Sequence, residues 1–301
     1  MSRMSTNLIF ENGLNRMLET QSKLVKTQQQ IATGRRVLSP QDDPAAAAYI
    51  LGLRNTISTV EQYQDNSERV RARLELEETT LQGVTNLLPR IQELAVQGQN
   101  DALTAEQRNA IAEEVLLLRD QLFSLANTRD SNGEYIFAGF QGGSEPFVSV
   151  GAGSYSYRGD MGERSLQISN GRSIQDRNNG FDVFMNIDTS TGAKRNLFET
   201  VDQIAAGMQA NNPDAVLIDD IQRAQDHLLQ FRTSVGARLN STSEQYEVNE
   251  DFLLTMQTAK SEAEDLDITE AVSRYERQLQ ALNAAQQSFI KLQGLSLFNF
   301  L

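Results

Sequence analysis

Apolar side chains recur every seven residues near both ends of this chain and along its interior. Phe10, Met17, Leu24 and Ile31 form one such row, with Leu14, Gln21 and Gln28 between them at offsets of four and three. A row of this kind is the a/d seam of a helix that packs against another helix, here with amides in two seam positions. It stops at Gly34, and Pro40 and Pro44 enforce a break. A second row, Leu53, Val60, Ser67, Leu74, Leu81, Leu88 and Ala95, predicts a helix of about 50 residues, roughly 75 Å long. Pro89 is expected to kink or split it. After a break near Gly98, Thr104 with Gln107 three residues later reads as a capping box, and Ile111, Val115, Leu118, Leu122 and Leu125 resume helical spacing.

The pattern changes at residue 131. Eleven of the nineteen glycines lie between Gly133 and Gly192. Short alternating runs (Phe147 to Val150, Ser154 to Tyr157, Ser165 to Ile168) are separated by Gly, Asn and Asp, and Asn170-Gly171 and Asn179-Gly180 are hairpin-type turn signals. Helical spacing returns near Asn196, breaks at Asn211-Asn212-Pro213, and runs on through Ile221, Leu228, Val235 and Thr242, with Leu239, Tyr246 and Leu253 beside them. The last segment repeats the first in style. Ile268, Tyr275, Leu282 and Phe289 are seven apart, Val272 and Leu279 fill the companion positions, and Gln286 again puts an amide in the seam.

The predicted fold is therefore mainly α: a long antiparallel helical bundle or coiled coil formed by the N- and C-terminal parts, with a small inserted β-rich domain. Three parts are expected: residues 1–45 plus 265–301 as terminal coiled-coil segments, 46–130 plus 196–264 as a central bundle, and 131–195 as a β-rich outer domain. The order helix, insert, helix brings the two chain ends together.

Composition narrows the chemistry. The 301 residues include no Cys, no Trp and one histidine, His227, which removes disulfides, thiol nucleophiles and Cys-based zinc sites. No 7–15-residue apolar run follows a basic start, so no cleaved secretory signal is expected, and no 18-residue apolar stretch predicts a membrane span. The net charge of −13 argues against nucleic-acid binding. Residues 1–45 carry six basic and four acidic side chains and residues 266–301 carry three of each, so the negative charge is concentrated on the middle of the chain. Near-neutral ends can pack against copies of themselves, while an acidic middle stays solvated.

No catalytic, cofactor or metal site is predicted. Asp42-Asp43-Pro44 and the Asp265/Asp267 pair have no neighbouring histidine or third acid, and Asp beside the first turn of a helix caps its free N–H groups. His227 on a charged helix reads as solvent-facing or satisfied, and the glycines from Gly139 to Gly143 lack the strand–turn–helix setting of a phosphate loop.

The rows in the central helices are almost wholly apolar and need nothing beyond an intramolecular core. The terminal rows differ. Each lies on about 30 residues, near the length at which an isolated helix is marginal. Gln21, Gln28 and Gln286 weaken a core but fix register between partners. The tail, Leu295, Leu297, Phe298, Phe300 and Leu301, would be a liability if exposed. The terminal rows, from Phe10 to Ile31 and from Ile268 to Phe289, are thus the predicted assembly interface, and the ends are expected to gain helix on assembly.

Several stretches carry a family resemblance. Ile31-Ala32-Thr33-Gly34-Arg35-Arg36-Val37, followed by Ser39-Pro40-Gln41-Asp42-Asp43-Pro44-Ala45-Ala46, resembles the break after the first helix of the flagellin superfamily. Asp265 and Asp267 with Glu270-Ala271-Val272-Ser273 resemble the matching start of its C-terminal helix. Asn132 to Phe140 (NGEYIFAGF) and Gln293 to Phe298 (QGLSLF) are more similar to the hook–filament junction branch than to filament flagellin.

The resemblance implies a structural subunit outside the bacterial cell, in a ring of like copies between a hook-side junction protein and flagellin. It further implies export through the flagellar type III apparatus and an export chaperone that binds the region from Ile268 to Leu301, including the apolar tail. Two other functions compete. Filament flagellin is opposed by the short insert and the Gly294-Leu295-Ser296-Leu297-Phe298 tail. A secreted enzyme or adhesin, with activity in the insert, would need a convergent polar cluster within residues 131–195, and none has catalytic spacing.

Overall fold

The computed structural model describes residues 6–151 and 153–298, without the side chains of residues 6, 7, 9, 10 and 292–298. Six α-helices account for most of these: α1 (Thr6–Thr33), α2 (Pro44–Gly98), α3 (Ala105–Ala126), α4 (Leu197–Gln209), α5 (Val216–Glu264) and α6 (Ile268–Phe298). Between α3 and α4 lie three antiparallel two-stranded ribbons, β1 (Phe147–Gly151) with β2 (Ser154–Tyr157), β3 (Ser165–Ser169) with β4 (Arg172–Gln175), and β5 (Ile187–Asp188) with β6 (Lys194–Arg195). The mainly α architecture with a small β-rich insert is the one the heptads and glycines predict.

The chain divides into two compact units, residues 1–59 with 252–301 and residues 60–251. In the larger unit the heptad row of α2 faces inward: Val60, Ser67, Leu74, Leu81, Leu88 and Ala95 are all buried. Its partner is α5. Gln92 meets Gln222 at 3.3 Å, Glu78 accepts from Arg232 Nη2 at 2.6 Å, and Glu68 accepts from Tyr246 at 3.2 Å. Ascending one helix while descending the other, these pairs make the two antiparallel. Ile221, Leu228, Val235 and Thr242 are the buried face of α5. The capping box forms at Thr104, whose hydroxyl accepts from the Gln107 N–H at 3.3 Å while its own N–H donates to Gln107 Oε1 at 2.9 Å.

The insert shares this core. Ile136, Phe137, Phe147, Ile168, Val183 and Phe184 belong to one buried cluster with side chains of α2, α3, α4 and α5. Phe137 and Phe147 each meet Phe184 edge to face, at 5.1 and 5.4 Å between ring centres. Strand β3 is held from both sides: Asn66 Nδ2 of α2 donates to the Gln167 carbonyl at 2.8 Å and Asn249 Nδ2 of α5 to that of Ile168 at 2.9 Å.

Two local expectations are corrected. Helix α2 continues through Pro89, so of the kink or split expected there the split is absent. Proline removes one N–H, so the Thr85 carbonyl loses its helical partner, but Leu88, Ile91 and Leu94 are buried around it and hold the segment in place. Asn170-Gly171 does turn β3 into β4, with Gly171 at φ 98. Asn179-Gly180 instead opens a single π-helical turn, Phe181–Met185. Gly180 is there for space: a Cβ would lie 2.7 Å from the Phe137 carbonyl and 2.6 Å from the Phe147 ring.

Candidate assembly interface

The smaller unit carries the terminal rows. Helix α1 ends at Gly34, where φ 68 turns the chain at no steric cost. The next residues pair with the end of α5 and the link to α6. The Gly34 carbonyl accepts from Leu266 N at 2.9 Å, and Arg36 N donates to the Glu264 carbonyl at 2.8 Å. Arg35 and Asp265 form an antiparallel bridge at this point. Beneath it, the buried carboxylate of Glu264 takes Arg35 Nε at 2.8 Å and also Arg54 of α2. One carboxylate therefore ties the ends of α1 and α5 to the start of α2.

The acidic pairs act as caps and loop ties. Asp43 Oδ1 accepts from Ala46 N at 3.0 Å at the start of α2, and Asp267 Oδ1 from Glu270 N at 3.0 Å at the start of α6. Asp42 binds Lys26 at 2.5 Å and accepts from the N–H groups of Ser39 and Leu38. Its hydrogen bond to Lys26, then that from Ser39, holds its carboxyl below the usual range. His227, in the larger unit, meets the Asp182 carbonyl at 2.8 Å and the edge of Phe231.

Above this clamp α1 and α6 pack side by side in opposite directions. Thr27 Oγ1 donates to Gln278 Oε1 at 3.0 Å, and a Cβ on Gly13 would touch the Phe289 ring at 3.6 Å. The inward side chains only partly match the predicted rows. Met17, Leu24, Ile31, Tyr275 and Phe289 are half-buried, and Leu282 is buried. Their companions lie one residue earlier than expected in both helices. Thr20 and Thr27 turn inward where Gln21 and Gln28 are exposed, and Ala271, Gln278 and Ala285 turn inward where Val272, Leu279 and Gln286 are exposed. Leu14 is half-buried and Ile268 exposed.

On α1 the physical reason is polar satisfaction. A threonine turned inward can return its hydroxyl proton to the preceding turn, as Thr20 does to the Arg16 carbonyl at 2.9 Å and Thr27 to that of Lys23 at 3.0 Å. Gln278, which does turn inward on α6, has the Thr27 hydroxyl as a donor to its Oε1.

That shift leaves a second apolar face uncovered. Leu8, Leu18 and Val25 on α1, and Ile268, Val272, Leu279 and Ile290 on α6, are each at least 39% exposed. Leu18 and Val25 border a groove of about 710 Å³ on α1, closed on its other side by Leu38 and Asp42. Leu18 and Val25 are themselves seven apart, a row the Phe10 row overshadows. The side chains of Phe10, Leu295, Leu297 and Phe298, together with Phe300 and Leu301, lie outside the described residues.

The comparisons with known proteins converge. The bacterial flagellin N-terminal helical region matches residues 4–142. Flagellar hook-associated protein 3 of Salmonella typhimurium is 30% identical over 317 residues, covering 98% of this chain and 98% of its own. A flagellin of Clostridium tyrobutyricum, 29% identical, covers only 44% of this chain and 35% of its own. The crystal structure of flagellar hook associated protein-3 from Legionella pneumophila shares the fold, with a TM-score of 0.66 at 20% identity over 71% of this chain and 98% of that one. Identity at the level of the Salmonella protein, sustained along both chains, decides the relationship: the chain belongs to the flagellar hook-associated protein 3 family.

Proposed function

We propose that this chain is a non-enzymatic structural subunit of the hook–filament junction, assembling into a ring of copies between a hook-side junction protein and flagellin. The observation that carries the reading is the outer apolar face of α1 and α6, Leu18 and Val25 with Val272 and Leu279, left uncovered beside near-neutral surroundings. Large apolar side chains arrayed on one face of a helix pair are stabilised by burial against neighbours, by about 1.5–3 kcal/mol each. The predicted rows take separate roles: Met17, Leu24, Ile31, Tyr275, Leu282 and Phe289 join the two helices, and Ile268, Val272 and Leu279 meet neighbouring subunits. Delivery through the flagellar type III apparatus, with an export chaperone on the region from Ile268 to Leu301, completes the proposal.

The test is the double substitution Val272→Asp, Leu279→Asp. Circular dichroism and melting of the purified chain are expected to stay near wild type, while the variant is lost from isolated hook–filament fractions. Normal incorporation would overturn the assignment of this face. Filament flagellin is the weaker alternative, because the matched flagellin aligns with less than half of this chain.

A further inference from the structure

A cleft of about 650 Å³ in the larger unit separates α2 from the loop that follows α3, and arginines dominate its walls. Arg69 and Arg73 line it from α2, Arg129 from the loop, and Arg164 from the approach to β3. Arg73 is nearly buried, its side chain 10% exposed, and lies 3.1 Å from Glu134 Oε2 and 3.5 Å from Asp130 Oδ2. Its Nε is buried with no hydrogen-bond partner among the described residues. Deeper still is Arg177, 3.9 Å from Glu134 Oε2, whose Nε makes no hydrogen bond among the described residues and lies 3.6 Å from Asp176 Oδ1. Asp176 is committed below to Arg164 and Arg177.

The local charge does not balance. Five guanidinium groups, Arg69, Arg73, Arg129, Arg164 and Arg177, face three carboxylates, Asp130, Glu134 and Asp176. Arg177 is held below its ordinary pKa, by burial first and then by repulsion from Arg73 and Arg164. Partly desolvated cations that outnumber their carboxylates are stabilised by an incoming anion, and guanidinium forks suit carboxylates. The surplus is positive on a chain whose net charge is −13.

We propose that this cleft is a carboxylate-binding site filled by acidic side chains of a second copy of this chain, namely the exposed pair Glu244 and Glu247 on α5. The inference rests on the reading of the chain as a self-assembling subunit. Glu244 and Glu247 stand three residues apart on one helical face, both exposed, and neither has an ion-pair partner among the described residues. A polyanion such as nucleic acid would meet the repulsion of the whole chain, whereas two carboxylates on a neighbour's helix match the local surplus.

The chain contains no cysteine, so single-cysteine variants report contacts without background. Asn132→Cys, on the cleft wall, and Asn240→Cys, exposed one turn before Glu244 on the same face of α5, are to be co-expressed, and isolated hook–filament fractions oxidised with copper phenanthroline. The expected product is a disulfide-linked dimer of the two variants. Its yield should fall by at least about fivefold when Arg69→Glu is added to the Asn132→Cys chain. In a second pair of chains, replacing Glu244 by Arg on the Asn240→Cys chain should restore the yield against Arg69→Glu. Subunits present in the fraction without a cross-link would overturn the cleft assignment and leave the junction reading standing. Absence of the wild-type chain from the fraction would overturn both.

Discussion

Arg35 Nε lies 2.8 Å from Glu264 Oε1, so the first residues after α1 are tied to the last residue of α5 by a buried carboxylate. Arg54 binds the same oxygen. The arginines are about half exposed, so the ion pairs are screened and their worth is well below that of a fully buried pair. Glu264→Ala should therefore cost about 1–2 kcal/mol, and hydrogen exchange should show the loss in α1 and α6 while α3 and α4 keep their protection. Equal loss of protection in α3 would mean that Glu264 supports more than the terminal unit.

Glu77 supplies a pH dependence. It is buried on α2, accepting from Asn178 Nδ2 at 2.6 Å, with Arg238 and Asp176 as the charged groups around it. Burial pushes its pKa up to about 7, against the pull of Asn178 and Arg238. A carboxyl whose pKa is higher folded than unfolded stabilises the protein fully below its unfolded value of 4.5, and that contribution is lost as pH rises to about 7. The loss is on the order of 3 kcal/mol. Glu77→Gln should keep the hydrogen bond to Asn178 and flatten the stability profile between pH 5 and 7, as read by urea unfolding.

Pro89 sits exposed inside an unbroken helix and leaves the Thr85 carbonyl without its helical donor. Pro89→Ala restores that donor. The gain is partly offset by the freer unfolded chain, so the net expectation is a stabilisation of about 1–2 kcal/mol and a higher Tm. An unchanged or lower Tm would show that the proline is accommodated without cost.

Much of this was legible in the sequence, and particular residues show why. The α2 row from Leu53 to Ala95 is buried at every position, because a long apolar repeat has one way to face a core. Thr104 and Gln107 cap α3 because the motif carries its own geometry. On α1 the inward companions lie one residue before the predicted ones because threonine and glutamine are both polar at adjacent positions. Only the back-bond of Thr27 and its contact with Gln278 decide between them. Gly180 looked like a turn residue, since nothing local reveals that Phe137 and Phe147 close over it. The clamp at Glu264 joins residues more than 200 apart in sequence, a distance at which charge pairs leave no periodic trace.

The central claim is that this chain joins hook to filament. The direct measurement is electron microscopy of cells lacking it, with flagellin assayed in the medium. The account predicts intact hooks, no attached filaments and flagellin released into the medium, all reversed by the wild-type chain. Filaments of normal length on those hooks would contradict it.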